Sequence, residues 1–268
     1  MVSNDLERHA RLERLAALQR LADLAPPPAA TRAYGPGPEQ VGDLRLPPGD
    51  GPFPVAVLVH GGFWRPAPTR AIMSALAADL TTHGWATWNV EYRRIGSGGS
   101  VPSTISDAAA AIRHVRDLQA PVDPGRIAVV GHSVGGYLAL KVAPEVEVSG
   151  ILALAPLCDL ADAARRGLGE GAVTTFVGAD PDSDPFSFES AALPIDHPGI
   201  SVRLLHGDAD DRVPIDHSRW FMDRLRRSGA QARLVELPGI GHFEFLDPHH
   251  DAWVTVRREL DRLRGRVV

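Results

Sequence analysis

Ile127-Ala128-Val129-Val130-Gly131-His132-Ser133-Val134-Gly135-Gly136 decides how this chain folds: an apolar run, a glycine, a serine two positions on, and two more glycines. The first four residues are β-branched or small and read as a buried strand, and Tyr137 to Ala143 beyond the glycines have the residue types of a helix. A strand, a sharp turn and a helix in that order push the serine out of the sheet, where a neighbouring base can activate a hydroxyl that is otherwise a poor nucleophile. Gly131 permits the bend, and Gly135 with Gly136 lets the helix pack close to the strand, because none of them carries a Cβ. A Gly-x-Ser-x-Gly pentapeptide arises by chance in glycine-rich chains, and this one holds 26 glycines in 268 residues, so the flanking strand and helix give the motif its weight.

Outward from this turn the chain alternates. Pro54 to Val59, Ala86 to Tyr92, Ile127 to Val130, Gly150 to Ala155, Val202 to His206 and Ala232 to Leu237 are short apolar runs that read as strands. Ile72 to His83, Ile105 to Leu118, Gly135 to Ala143, Ile215 to Arg227 and Ala252 to Arg264 read as amphipathic helices. Strands separated by helices of this length predict an α/β fold with a mostly parallel central sheet covered on both faces. Leu157 to Gly199 breaks the rhythm with glycine, aspartate and proline, and is too long for an ordinary connection. It is expected to form a short cap over a pocket at the carboxyl edge of the sheet, where open α/β sheets bind ligands.

Before Pro26 the pattern differs. Asn4 to Leu24 carries Leu12, Leu15, Leu18 and Leu21 among charges of both signs, a helix expected to be capped by Ser3 or Asn4. Three-residue spacing spreads these leucines into a broad apolar stripe instead of a coiled-coil seam. The stripe should pack on its own domain, a homodimer contact or a lid over the pocket being the other uses for it. Residues 1–33 are therefore read as a helix and connector, and 34–268 as one domain with its cap at about 157–199.

Composition excludes several classes. A chain of 268 residues, 44 % hydrophobic and 23 % charged, can bury one large core. Net charge is -5 with no run of lysines or arginines, so nucleic acid and anionic membranes are not expected partners. The single cysteine, Cys158, has no internal disulfide partner and is read as packing; no Cys/His cluster has zinc spacing, so neither a metal nor another cofactor is expected. Met1 to Arg8 is polar where a signal peptide needs an apolar stretch, and the expected location is cytoplasmic.

A serine nucleophile needs a base, an acid to orient it and donors for the oxyanion, here in the chain order serine, acid, histidine. His206-Gly207-Asp208-Ala209-Asp210-Asp211-Arg212-Val213-Pro214 follows a strand and offers three aspartates as the acid. Gly239-Ile240-Gly241-His242-Phe243 follows the last strand, which makes His242 the candidate base. The oxyanion donors are expected to be the backbone N–H groups of Gly62 and Phe63, in the loop His60-Gly61-Gly62-Phe63-Trp64-Arg65, and of Val134 at the positive end of the helix after Ser133. Trp64 either lines the substrate pocket or covers the loop. His60, His206 and His132 are read as organising their loops, and His249 with His250 as surface residues.

Together these residues resemble the α/β-hydrolase superfamily over roughly Tyr34 to Leu263, with His60-Gly61-Gly62, Gly131 to Gly135, the Asp210 loop and Gly241-His242 in the family's order. The loop His60-Gly61-Gly62-Phe63-Trp64 is similar to the His-Gly-Gly-x-Trp loop of kynurenine formamidases and related small esterases. The loop from His206 to Pro214 resembles that of prolyl oligopeptidase and dipeptidyl-peptidase relatives, in which the first of the paired aspartates is the triad acid, and this implies Asp210. The 33 residues before Tyr34 are too few for the β-propeller of those peptidases. The resemblance thus implies a Ser133, Asp210 and His242 triad acting through an acyl-enzyme on a small ester or amide, with a short acyl or formyl group. A peptidase, a lyase or isomerase reusing the triad, and a ligand receptor on the same fold are the alternatives.

Overall fold

The computed structural model describes residues 2–197 and 199–264. Helix α1 (Val2–Leu24) leads into strands β1 (Ala30–Ala33), β2 (Val41–Arg45) and β3 (Phe53–Val59), then α2 (Ser74–Thr82), β4 (Ala86–Val90) and α3 (Val101–Arg113). Strand β5 (Val122–His132), α4 (Val134–Val142) and β6 (Gly150–Leu154) follow. Three short helices, α5 (Leu160–Arg165), α6 (Ala172–Val177) and α7 (Pro185–Ala191), precede β7 (Ser201–Gly207), α8 (Asp216–Ser228), β8 (Ala232–Leu237) and α9 (Asp251–Asp261). The eight strands form one sheet in the order β1-β2-β4-β3-β5-β6-β7-β8, with β1 and β2 antiparallel and every pairing from β4 to β8 parallel.

Strand alternation builds two cores. Val55, Val57 and Val59 of β3, with Ile127 and Val129 of β5, pack beneath α3, α4 and α8. Ala56, Leu58, Ala128 and Val130 point the other way, onto α2, α9 and the buried Leu18 of α1. Both faces of the central strands β3, β5 and β6 are therefore dry, as the parallel pattern requires.

Four details depart from the sequence reading. Residues 30–33, expected as connector, are strand β1, and β2 was not foreseen: β1 is a short edge strand, β2 is a short strand between it and β4, and Asp43 and Arg45 of β2 interrupt the apolar pattern. Arg70 donates to Asp43 at 2.9 Å, so a salt bridge allows that carboxylate to be buried. Helix α3 begins at Val101, ahead of the expected Ile105, because Ser103 Oγ accepts the Ser100 N–H at 2.9 Å and Pro102 suits a first turn. Helix α1 already starts at Val2, so Ser3 and Asn4 lie within it instead of capping it.

The three helices of the segment 157–199 pack on one another, and its far end is tied to α4: Tyr137 Oη donates to the Ala191 carbonyl at 2.7 Å and Lys141 Nζ to those of Ser190 and Ala192 at 2.9 and 2.7 Å. Cys158 is buried there.

Candidate active site

Strands β3, β5, β7 and β8 run parallel in one sheet, so the loops that follow their carboxyl ends lie at one edge. Ser133 sits between β5 and α4 at φ 57°, ψ −120°. A non-glycine residue held at positive φ is strained and needs surroundings that over-determine it. Here the Ser133 N–H donates to the Leu154 carbonyl at 2.8 Å, and its own carbonyl accepts from Tyr137 at 3.1 Å. Gly135 has no substitute: a Cβ there would lie 2.1 Å from the Val59 carbonyl oxygen. At Gly61 a Cβ would come within 2.9 Å of the Ser133 Cβ, which places the loop after β3 directly against the serine.

Ser133 and His242 line the same cleft of about 170 Å³, together with Gly61, Gly62, Phe63 and His132. His242 is buried, and its Nδ1 donates to Asp210 Oδ2 at 2.7 Å. Of the three aspartates only Asp210 reaches it. Asp208 accepts the Gly239 N–H at 2.6 Å and so ties the two loops together, while Asp211 is exposed. Burial by itself would raise the Asp210 pKa, but the His242 charge, hydrogen bonds from His206 and His242 and the Val213 N–H outweigh it and hold the carboxyl far below its usual range.

The loop histidines organise the site, as expected, through specific partners. His206 is wholly buried: Nε2 donates to the Val213 carbonyl at 2.8 Å and lies 3.2 Å from Asp210 Oδ2, leaving Nδ1 to accept the Ser218 hydroxyl at 2.7 Å. His206 thus touches the acid itself, which its place at a strand end did not reveal. His60 bridges Glu91 Oε1 at 2.8 Å and the Gly61 carbonyl at 2.7 Å, and its ring stacks on Tyr92 with centroids 4.4 Å apart. Glu91 was missed in the sequence, although a charged residue immediately after a strand is the available signal. Burial opposes its ionisation, yet His60, the Arg70 N–H and Arg94 lower its pKa to about 2. His250 accepts the Ala252 N–H at the start of α9, and His249 is exposed.

Trp64 does not line the cleft. Its indole is fully buried, stacked on Phe176 of α6 at 3.8 Å and edge-on to Tyr137 at 5.9 Å, so it anchors the loop to the segment 157–199. Among the described residues that segment itself reaches the cleft only at Gly169 and Glu170, and Arg65 donates to the Gly169 carbonyl at 2.6 Å. Leu12 and Leu15 of α1 also line the cleft, as in the lid over the pocket that was an alternative use of the leucine stripe, while Leu18 packs in the core.

His132, beside Ser133, donates from Nε2 to the His242 carbonyl at 2.9 Å. Burial, and then the neighbouring His242, push its pKa down to about 3. A histidine with a depressed native pKa binds its proton more weakly folded than unfolded, so stability is lost as pH falls below about 6.5, down to about 3. At pH 5 the expected loss from this residue is on the order of 2 kcal/mol. Urea melts of the protein and of His132→Gln at pH 7 and pH 5 should show a smaller drop in the variant. His197 and His217, also held low by burial, keep the residual slope in the same direction. An unaltered slope would show that His132 is not the acid-labile group.

Among the described residues no helix is long and apolar enough to cross a membrane, and no group of three or more His, Cys, Asp or Glu could hold a metal ion.

Comparison with known proteins places this geometry. The BD-FAE family matches residues 43–148. Esterase LipC of Mycobacterium tuberculosis is 30 % identical over 241 residues, covering 80 % of this chain and 59 % of LipC. Isoprenylcysteine alpha-carbonyl methylesterase ICME of Arabidopsis thaliana is 27 % identical over 238 residues, covering 78 % of this chain and 55 % of that protein. The chain therefore spans little more than half the length of these curated relatives. Among solved structures, a truncated carbohydrate esterase from gut microbiota superposes with a TM-score of 0.75 at 20 % identity, over 90 % of this chain and all (100 %) of the other. The esterase Est2 of Thermogutta terrifontis superposes at 0.66 with 23 % identity, over 88 % and 91 % of the two chains. With its sheet order, its strained serine between strand and helix and these similar structures in agreement, the chain has the α/β-hydrolase fold.

Proposed function

We propose that this protein is a serine hydrolase that cleaves a small ester through Ser133, His242 and Asp210. The observation that carries the reading is the 2.7 Å contact of His242 Nδ1 with Asp210, made by a histidine that shares a cleft with a serine held at positive φ. With Nδ1 committed to the carboxylate, Nε2 is the free basic nitrogen. It takes the Ser133 proton as Oγ bonds to the carbonyl carbon, and the carbonyl electrons move to an oxyanion faced by the N–H groups of Gly62, Phe63 and Val134. Collapse expels the alcohol oxygen, which receives the proton from Nε2. Water then attacks the acyl-enzyme, gives one proton to Nε2 and releases the acid, and that proton returns to Ser133.

Support for an ester over other carbonyl substrates comes from the esterase names of the curated relatives. The tight cleft, about 170 Å³ between α1 and Gly169–Glu170, favours a short acyl group over a peptide. A fluorophosphonate should label the protein once per chain, and short-acyl aryl esters or N-formyl anilides should be turned over with kcat/KM at least about tenfold above dipeptidyl anilides, the scale of discrimination that pocket fit can supply. N-formylkynurenine belongs in that panel because of the loop His60 to Trp64. A dipeptidyl anilide preferred over every ester and formamide would favour the peptidase, and inactivity throughout with no labelling would favour a receptor.

A further inference from the structure

The cleft beside Ser133 has one apolar wall that lies outside the hydrolase pattern. Leu12 and Leu15 of α1 face it together with Ile72, Phe243 and Leu246. Burial is graded along the helix: Leu18 and Ala22 are 6 % and 7 % exposed and anchor it, whereas Leu12, nearer the open end, is 51 % exposed. A large apolar side chain left half in water beside a reactive centre has surface to offer a ligand.

Helix α1 packs on residues 70–82 and borders the segment that follows the base. Leu18 shares a core with Phe245 and Leu246, and Leu21 and Phe243 pack against it. Arg14 lies 4.0 Å from Glu244. The wall is thus built from the residues immediately after His242 and from the helix beside them.

That position selects one half of the substrate. In the mechanism proposed above, the proton that His242 takes from Ser133 must be delivered to the leaving oxygen, so this oxygen stands on the His242 side of the carbonyl carbon. The oxyanion points instead toward the loop of Gly62 and Phe63. Whatever is attached to the leaving oxygen extends from His242 onto Phe243, Leu246 and the two leucines.

Resting on the serine hydrolase reading, we propose that Leu12 and Leu15, with Phe243 and Leu246, form the subsite for the apolar alcohol or aryl half of the ester. Helix α1 is then a substrate-binding element that sets leaving-group preference. Area removed from water makes each additional buried methylene worth up to roughly fourfold in kcat/KM.

The test compares two ester series on the full-length protein by pH-stat: methyl, butyl and hexyl acetates, which vary the alcohol, and methyl acetate, butyrate and hexanoate, which vary the acyl group. For the wild type kcat/KM should rise at least about tenfold from methyl to hexyl acetate, as partial burial of the chain requires. The double variant Leu12→Ala, Leu15→Ala should flatten that rise by about tenfold and leave the slope of the acyl series in place. Leu12→Glu, at an exposed position that does not threaten folding, should also penalise hexyl more than methyl acetate. A loss that follows the acyl series, or no change of slope in either, overturns the assignment. Fluorophosphonate labelling of Ser133 separates the two levels: labelled protein with an unchanged alcohol slope sinks the subsite alone, whereas absence of both labelling and ester turnover sinks the hydrolase reading and the subsite with it.

Discussion

Ser133→Ala is expected to abolish covalent labelling by a fluorophosphonate and to lower ester turnover by roughly four to six orders of magnitude, as removal of a triad nucleophile does. The backbone around Ser133 is fixed independently of its hydroxyl, by the N–H bond to Leu154, the carbonyl bond to Tyr137 and the close approach of Gly135 to Val59. The alanine variant should therefore fold with a melting temperature near that of the wild type, and the loss would be chemical. Mass spectrometry of the labelled protein locates the adduct. Labelling of the alanine variant at another serine would remove Ser133 from its role.

Asp210→Asn is expected to cost at least about a thousandfold in turnover and Asp211→Asn less than about tenfold. Asp210 is surrounded by donors: Oδ2 faces His242 Nδ1 at 2.7 Å and His206 Nε2 at 3.2 Å, and Oδ1 accepts the N–H groups of Arg212 and Val213, each at 2.8 Å. An amide has one acceptor end and one donor end, so neither orientation satisfies all four groups. With its NH2 toward His242 the imidazole is driven to the wrong tautomer; with its NH2 toward the loop, two buried N–H groups lose their acceptor. Stability should fall along with activity, which a parallel melt would reveal. At Asp211 the side chain is in solvent and its amide changes little. The reverse ranking in steady-state kinetics would transfer the acid to Asp211.

The candidate site was legible in the sequence to the extent that it is local. Ser133, with its glycines, strand and helix, is one stretch of chain, and so is each loop that carries Asp210 or His242. Choosing among Asp208, Asp210 and Asp211 was different. Within the loop all three are short carboxylates at the surface-facing end of a strand, so the residues themselves left the choice open; the loop's resemblance implied Asp210, and the contact with His242, 32 residues away, is what singles it out physically. Trp64 was undecided for the same reason, since its partner Phe176 stands more than a hundred positions away and no local pattern reports a stacked pair.

What the sequence by itself determined is the succession of strands and helices from β3 onward, the parallel sheet they must form, and the three loops that deliver serine, aspartate and histidine to one edge. These follow from side-chain period, turn chemistry and backbone freedom, which act between residues a few positions apart. Tertiary structure alone decided that Asp43 could be buried in β2 by pairing with Arg70, that His206 would hold Asp210, and that Leu12 and Leu15 would stand beside Ser133. Each of these depends on segments brought together by packing on the two faces of the sheet, where an apolar stripe or a buried charge takes its meaning from whatever the fold places opposite it.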